Sequence, residues 1–413
     1  MLRILLTTVL FIVIVASKLN AQNSNAQNPN AQGELSLSAK KSQEWYDRFQ
    51  IRGYVQARYN RLLETNGQLK CEQCDRSWGE NGGVFLRRVR IIFSGQISKR
   101  VYFYIQPDFA SSATGTNLQF GQLRDAYFDI GFDDQNEYRI RLGQSKIPYG
   151  FENMQSSQNR LPLDRADGTN SAISNERDLG AIFYWAPANK RKLFADVVRL
   201  GLKGSGDYGI FAFGVFNGQS ANKPEQNNEL HVVSRLTWPF EIGNQIIEGS
   251  IQAYSGKYVV TPDQVSSGNV GVSADRNYTD RRIGGTFVLY PKPFGILAEY
   301  NVGEGPEFDK ASDTITVQKL HGGFITLTYM LKYKNHIFLP FTRLQYYDGG
   351  KKHETDTRSY NVNELELGLE WQPNPTFELV TMYTFSKRRF EDYLLQDNLQ
   401  SGSLLRLQAQ INF

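Results

Sequence analysis

Arginines at alternating positions are the residues of this sequence whose type and spacing could bind a ligand. They occur as pairs of equal parity within separate extended segments: Arg52 and Arg58, Arg88 and Arg90, and Arg139 and Arg141. Because successive side chains of a β-strand point to opposite faces, the two members of each pair share a face. A guanidinium group binds phosphate or carboxylate through two parallel hydrogen bonds and keeps its proton. The pattern therefore predicts a cationic surface suited to anions.

Segment 84–98 shows what such strands require of their surroundings. It carries Arg87, Arg88 and Arg90 beside isoleucine and phenylalanine, and a buried guanidinium without a partner costs several kcal/mol. This composition fits a wall with one face toward lipid and the other toward a water-filled pore. Arg87 falls on the lipid parity, where it would cost about 2–4 kcal/mol at the bilayer midplane. We therefore expect a β-bulge that turns Arg87 inward, or a position at the rim.

Two interpretations of the arginine pairs remain open. Rings of arginine or lysine line anion pores, and stacked pairs would form rungs on a pore wall. Alternatively, acidic side chains on the same face neutralise the arginines: Asp108, Asp125, Asp129, Glu364, Glu366 and Glu370. The three glutamates crowd segment 361–371, far from the arginine pairs in sequence. The pattern favours anion-attracting rungs, with part of the lumen balanced by acids.

The elements that must position these side chains are long alternating strands. Segment 49–61 alternates apolar and polar residues over more than eleven positions, and a tilted strand needs about 9–11 residues to cross a bilayer. About sixteen such segments follow one another between residues 49 and 413. The abundance of Phe, Tyr and Gly, with 26, 22 and 36 residues, is typical of an all-β chain with many turns.

The connections between these segments alternate in length. Long ones include 62–83, 145–177 and 303–318, and short ones include 99–100 and 333–335. An even strand number with short periplasmic turns and long external loops is typical of bacterial outer-membrane barrels. We predict an all-β fold, a transmembrane antiparallel β-barrel of about 16 strands over residues 47–413, with short periplasmic turns and long extracellular loops.

One turn breaks the alternation of connection lengths. Residues 187–206 fall where a short periplasmic turn is expected. We expect an extended turn there, or an extra ribbon over Lys192–Leu202.

The N-terminal residues have the pattern of an export signal. Arg3 precedes an apolar run over residues 4–16, and Ala21 offers a small residue for cleavage, which predicts a signal peptide over residues 1–21. A transmembrane anchor would need about 20 apolar residues. Residues 22–46 are polar and repetitive, and we interpret them as a disordered linker. The formal charge of +4 is spread along the chain, with no basic run typical of nucleic-acid binding.

The connection over residues 144–177 is the longest without a strand pattern. It begins near Lys146 and is rich in polar residues. Loops of this length in a compact protein usually have a function. We expect it to fold into the lumen as a constriction loop, and the alternative is a solvated outer lid.

Cys71 and Cys74 are the two cysteines of the chain. In an exported protein we interpret this Cys-x-x-Cys as a local disulfide in the first long loop, because two ligands do not make a zinc site. The four histidines are widely separated and lack metal-ligand spacing. Since nucleophile-elbow and phosphate-loop motifs are also missing from the sequence, we predict no cofactor and no enzymatic activity. A barrel hydrolase with a scattered Ser/His site is the alternative.

Several motifs together resemble the phosphate-selective porin O and P family. They are Phe49–Tyr54, Leu86–Arg90, Gln106–Asp108, Leu123–Tyr127, Leu142–Gly150, Arg177–Gly180 and Gly214–Gly218. The start of the mature chain and its terminal Phe413 resemble Bacteroidetes-type members. The resemblance implies a sixteen-stranded, trimeric barrel with a constriction loop after the fifth strand. It also implies an anion path at the basic motif positions, which here are Arg52, Arg87, Arg88 and Lys146.

The expected function follows from the barrel and its arginines. We predict a Gram-negative outer-membrane porin for passive diffusion of small anions, with phosphate or polyphosphate as the best guess. The expected partners are small anionic solutes, outer-membrane lipid and two further copies in a homotrimer, and no nucleic acid. The alternatives are a general, weakly selective porin and a non-conducting receptor or adhesion barrel.

Overall fold

The structure is a computed structural model that describes residues 45–63, 69, 83–110 and 121–413. The predicted signal peptide and residues 22–44 of the predicted linker lie outside the described residues, as do Cys71 and Cys74. Residues 48–413 form one compact unit.

Seventeen β-segments of this unit form one antiparallel sheet. They are β1 Phe49–Leu63, β2 Gly83–Ser98, β3 Val101–Asp108, β4 Gln122–Gly131, β5 Tyr138–Lys146, β6 Arg177–Trp185, β7 Phe211–Phe216, β8 His231–Ile242, β9 Gln245–Val259, β10 Asn277–Leu289, β11 Phe294–Asp309, β12 Thr314–Tyr329, β13 Leu331–Tyr333, β14 His336–Gly350, β15 Ser359–Asn374, β16 Phe377–Glu391 and β17 Leu399–Asn412.

The sheet closes on itself as a barrel of sixteen strands. β12 and β13 are separated only by Met330 and both pair with β14, so together they count as one strand of the wall. Each strand pairs with its neighbours in sequence, and β1 pairs with both β2 and β17. The predicted sixteen-stranded antiparallel barrel is therefore confirmed.

Helices are few among the described residues, and all but the first 3-10 turn lie between strands. The α-helices are Phe151–Met154, Asp167–Asn170 and Ala188–Arg199, and the 3-10 turns are Trp45–Arg48, Ser174–Glu176, Pro262–Gln264 and Thr355–Thr357. Among the described residues, no helix has the length and apolar character needed to cross a membrane.

Alternation along each strand separates an inner from an outer face. In β10, Asp280 and Arg282 are buried inside the barrel, whereas Ile283 and Phe287 are about half exposed on its outer side. Since a polar inner face and an apolar outer face each recur every second residue, a shift of one residue would exchange them. The pattern fixes which side chains can line the lumen.

The predicted long connection over 303–318 is wrong. β11 extends to Asp309 and β12 begins at Thr314, so a turn of only four residues, 310–313, joins them. At these outer ends, Phe308 and Ile315 are buried in an apolar cluster. The outward side chains there are partly polar, which hid the strand pattern from the sequence.

The extended turn over 187–206 is present, but the predicted ribbon over Lys192–Leu202 is wrong. A helix occupies Ala188–Arg199 and buries Phe194 and Val197. These two residues are three positions apart and so lie on one helical face. We call this element the turn helix.

The turn helix is fixed at the end of the barrel that carries the short turns. Ala188 N–H donates to Glu137 Oε1 over 2.7 Å, and Lys190 Nζ donates to the Pro239 carbonyl over 2.8 Å. Val197 and Leu202 join an apolar cluster with inward residues of the wall, including Val288, Leu339 and Met382. The helix therefore covers part of this end of the lumen.

Candidate anion path

The segment over residues 147–176 lies inside the barrel. Phe151 N–H donates to Glu299 Oε2 of β11 over 2.5 Å, and Asp167 N–H donates to Gln345 Oε1 of β14 over 2.9 Å. Most of its side chains are buried, and it reaches several strands of the wall. We call it the inner segment. It divides the lumen into two unlike sides.

On the side of β14 to β17, which we call the paired wall, ion pairs tie the inner segment in place. Arg343 Nη1 lies 2.9 Å from Glu152 Oε1, and its Nε lies 2.6 Å from Glu366 Oε2. Arg388 lies 2.8 Å from Asp167. These charges are fully buried and paired with one another, and breaking such a pair costs about 3–5 kcal/mol. The paired wall therefore has little charge to offer a solute.

Arg58 belongs to this paired arrangement although it lies on β1. Its Nη1 lies 3.3 Å from Asp164 Oδ1 of the inner segment, and its Nη2 donates to Gln408 Oε1 over 2.7 Å. Arg406 of β17 also pairs with Asp164. The Arg58 side chain is completely buried and borders none of the cavities described below.

The opposite side of the lumen holds a cluster of arginines around a small cavity, which we call the upper cavity. Six arginines and two carboxylates line it, together with two asparagines: Arg87, Arg88, Arg90, Arg124, Arg160 and Arg165, with Asp164 and Glu176. The formal charge of this lining is 6 − 2 = +4. An anion would be the favoured occupant of such a site.

Two strand irregularities bring arginines into the upper cavity. In the pairing of β1 with β2, Gln56 opposes Arg88 and Ala57 opposes Leu86, so Arg87 is the extra residue of a bulge. In the pairing of β3 with β4, Arg124 is skipped in the same way, between Leu123 and Asp125. A bulge inserts one extra residue and can re-aim its side chain. Arg87 therefore lines the cavity beside Arg88. This inward bulge was expected from the sequence, because an arginine on the lipid-facing side is unfavourable.

The arginines of the upper cavity have hydrogen-bonding capacity left over. Arg88 Nη1 donates to Gln56 Oε1 over 2.7 Å, but Arg88 has no carboxylate partner among the described residues. The Nε atoms of Arg88, Arg124 and Arg160 are buried and have no hydrogen-bond partner in the described part of the chain. Buried donors are rarely left unsatisfied. Water or an anion in the cavity would satisfy them.

Glu176 is held by four cations at the border of the upper cavity. Its oxygens lie 3.1 Å from Arg160, 3.2 Å from Arg165 and 3.9 Å from Lys146, and Arg177 also pairs with it. Burial by itself would raise the pKa of the Glu176 carboxyl. The surrounding cations outweigh burial and hold this pKa well below its usual range.

The backbone at Glu176 is strained. Its φ is 72°, and that of Asn175 is 58°. Asparagine tolerates this left-handed conformation, but for a residue such as glutamate it costs about 1–2 kcal/mol. The ion pairs of the side chain compensate for this cost, because they fix the carboxylate among the cations.

Below this cluster lies a second cavity of about 240 Å³, which we call the lower cavity. Arg52, Lys146 and Arg141 border it together with four tyrosines, Tyr102, Tyr104, Tyr127 and Tyr208. Arg52 is exposed to this cavity and has no ion-pair partner among the described residues. It is therefore a cation available to a solute.

A third cavity of about 230 Å³ continues toward the short turns, and we call it the turn-side cavity. It shares Tyr102, Arg141 and Asp207 with the lower cavity. Arg139 lies 2.9 Å from Asp207, and Arg141 lies 2.7 Å from Asp129. These carboxylates partly neutralise the two arginines, which is the arrangement described by the alternative interpretation of the arginine pairs.

With the exception of Arg58, the predicted site residues lie one after another along one side of the lumen. Arg87, Arg88 and Arg90 border the upper cavity, Arg52, Lys146 and Arg141 the lower one, and Arg139 the turn-side one. Sequence reasoning missed four cations of the same wall: Arg124, Arg160, Arg165 and Arg177. Arg124 and Arg177 stood within quoted motifs, but Arg160 and Arg165 belong to a segment without periodicity.

A closed sixteen-stranded barrel with an apolar outer face and an inner segment is the architecture of outer-membrane porins. The family model of the phosphate-selective porins O and P matches residues 69–413. The chain belongs to this family. It is an outer-membrane porin of Gram-negative type, and both the barrel and the family indicate a channel.

Solved structures with the same fold are distant in sequence. The outer membrane channel DcaP of Acinetobacter baumannii is 13% identical over 88% of this chain and 97% of its own, with a TM-score of 0.54. An anion-selective porin from Comamonas acidovorans is 11% identical over 88% and 99%, with a TM-score of 0.51. No curated protein matches the sequence. These similarities concern the fold.

Proposed function

We propose that this porin is anion-selective and that solutes move along the arginine-rich wall formed by β1 to β6. The path runs from the upper cavity, past the Glu176 cluster, through the lower cavity to the turn-side cavity. Phosphate or polyphosphate is the best candidate solute. The anion selectivity of the Comamonas acidovorans porin agrees with this proposal.

The observation that carries the proposal is the unequal distribution of charge between the two sides of the lumen. The paired wall binds its arginines to carboxylates at 2.6–2.9 Å. Six arginines and only two carboxylates line the upper cavity, and the adjoining Asp108, 2.7 Å from Arg90, leaves an excess of positive charge. Such an excess raises the local anion concentration. Several adjacent sites, each of modest affinity, allow an anion to enter and to leave.

In this proposal the inner segment acts as the constriction. It supplies Arg160, Arg165 and Glu176 to the path and leaves the opposite side of the lumen closed by ion pairs. Passive diffusion requires no catalytic group, and we propose a channel rather than an enzyme. The homotrimer, the signal peptide and the Cys71–Cys74 disulfide stay predictions.

The experiment is planar-bilayer recording of the purified protein in a potassium chloride gradient, with phosphate added as a blocker of the chloride current. Arg88 is the residue to replace, because Arg88→Gln breaks no ion pair with a described carboxylate. The matched control is Arg199→Gln, which removes one positive charge from the exposed surface of the turn helix, where its pair with Asp196 is largely solvated.

We expect a reversal potential whose sign shows that chloride is more permeant than potassium, and we expect phosphate to block the chloride current. Loss of one charge-assisted contact of about 1.5 kcal/mol predicts roughly tenfold weaker block in Arg88→Gln. Phosphate should block the control variant at the same concentration as the wild type. A cation-favouring reversal potential contradicts the proposed selectivity and leaves the general porin. A protein without conductance in any salt supports the receptor or adhesion barrel instead.

A further inference from the structure

We propose that the lower cavity is a binding site for the organic part of a hydroxylated organic phosphate, of which a sugar phosphate is the simplest kind. This inference rests on the proposed anion path and names a class of solute for one section of it. The section is defined by the cavity of about 240 Å³ beside Arg52.

The linings of the two cavities differ in chemical type. The upper cavity is lined by arginines, carboxylates and asparagines and has no aromatic residue in its described lining. The lower cavity is also much larger and carries four tyrosines beside its cations. A bare inorganic anion needs charge and a few hydrogen-bond donors, and it is small for a cavity of about 240 Å³. A larger solute with hydroxyl groups can use both the space and the tyrosine hydroxyl groups.

Arg52 is the natural anchor for the phosphate group of such a solute. It lies on the inner parity of β1, is exposed to the lower cavity, and makes no ion pair with a described residue. Its fork of N–H groups can bind two phosphate oxygens at once. Lys146 and Arg177 border the same cavity but are already engaged with Glu176.

The tyrosines offer hydroxyl groups rather than ring faces. Tyr104 stacks on Tyr127 with ring centroids 5.2 Å apart, and the Arg141 guanidinium lies 3.9 Å from the Tyr127 centroid. The rings of Tyr104 and Tyr127 are therefore already engaged with each other and with Arg141. The hydroxyl groups of Tyr102, Tyr104, Tyr127 and Tyr208 make no hydrogen bond to another described residue, and each can donate one bond and accept others.

Two carboxylates complete the polar lining. Asp125 is held by Arg177 at 2.9 Å, and Asp207 is held by Arg139 at 2.9 Å and by Arg191 at 2.8 Å. They can still accept hydrogen bonds from the hydroxyl groups of a ligand. Donors and acceptors around a cation, with the Tyr104 and Tyr127 rings already stacked, fit a hydroxylated ligand better than an aryl phosphate.

The experiment compares three blockers of the chloride current in planar bilayers: glucose 6-phosphate, inorganic phosphate and phenyl phosphate. The variant is Tyr104→Phe/Tyr127→Phe, which keeps the stacked rings and removes two hydroxyl groups. The matched control is Tyr300→Phe, since Tyr300 is half exposed on the outer face of β11.

We expect glucose 6-phosphate to block at a concentration about tenfold lower than inorganic phosphate or phenyl phosphate, since each hydrogen bond contributes up to about 1.5 kcal/mol. The double variant should lose most of this advantage and keep its block by inorganic phosphate, and Tyr300→Phe should change neither.

Equal block by all three compounds would overturn the sugar-phosphate site and leave the anion path intact. Preferential block by phenyl phosphate would overturn it in favour of an aryl ligand, and an undiminished advantage in the double variant would also overturn it. Absence of block by every anion would refute the proposed function itself.

Discussion

Neutralising Glu176 tests whether the cations around it form part of an anion site. Glu176→Gln removes one negative charge from a lining with a formal charge of +4 and leaves Lys146, Arg160, Arg165 and Arg177 without their shared carboxylate. If solute anions visit this cluster, the native carboxylate competes with them. Its removal should then strengthen anion binding, although the variant loses a native ion-pair network.

The size of the effect follows from Coulomb's law. Glu176 borders the upper cavity, and we take a separation of roughly 6–10 Å between its carboxylate and an anion in that cavity. At an effective dielectric constant of about 20, removing this repulsion is worth about 1.7–2.8 kcal/mol per unit of anion charge. That corresponds to roughly 20- to 100-fold tighter binding.

The assay is the concentration of phosphate that halves the chloride current, together with the duration of single block events, which should lengthen. Glu366→Gln is the matched control, because it removes the same charge from the paired wall, where Arg343 and Arg406 hold Glu366. Gel mobility with and without heating verifies that each barrel is folded. Unchanged or weaker phosphate block in folded Glu176→Gln would refute the reasoning.

Two further predictions concern pH and the turn helix. The folded-state pKa of Glu176 is depressed, so the ionised carboxylate stabilises the fold fully above its ordinary pKa, and this stabilisation is lost as the pH falls through the lower folded-state pKa. Below about pH 4.5, wild-type barrels should therefore lose more stability than Glu176→Gln barrels. Unfolding in denaturant measures this difference. Val197→Asp places a charge in the apolar cluster at a cost of several kcal/mol, so the turn helix should undock and the conductance should rise. Leu200→Asp, at a half-exposed position at the end of the same helix, should leave the conductance unchanged. Equal conductance of the two variants would argue against the helix as an obstruction.

The barrel could be predicted because each strand repeats the same physical requirement. An inner polar face and an outer apolar face alternate with period two, and this gave the strand number and the inner positions of Arg52, Arg88 and Arg90. The prediction of a long connection over 303–318 failed because the alternation is weak there. Where strands extend with a partly polar outer face, the alternation in the sequence fades although the backbone pairing continues.

Bulges and the inner segment limited the prediction of the site. Arg87 could be suspected of a bulge, because its regular position would face lipid at a known cost. Arg124 carries the same signal, because regular alternation in β4 would place it on the outer face with Phe128, and this signal was missed. Arg160 and Arg165 lie in a segment without periodicity, so only its tertiary ion pairs decide where they point.

The division of the lumen into a paired wall and an arginine-rich wall has a consequence for how this protein can vary. The inner segment owes much of its position to ion pairs with Arg343, Arg388 and Arg406, and these residues do not border the upper cavity. Residues of β2 and β4 that line the upper cavity can therefore be exchanged while the support of the segment stays unchanged. Related chains, or designed ones, can acquire new solute preferences through a few substitutions on one side of an otherwise constant barrel.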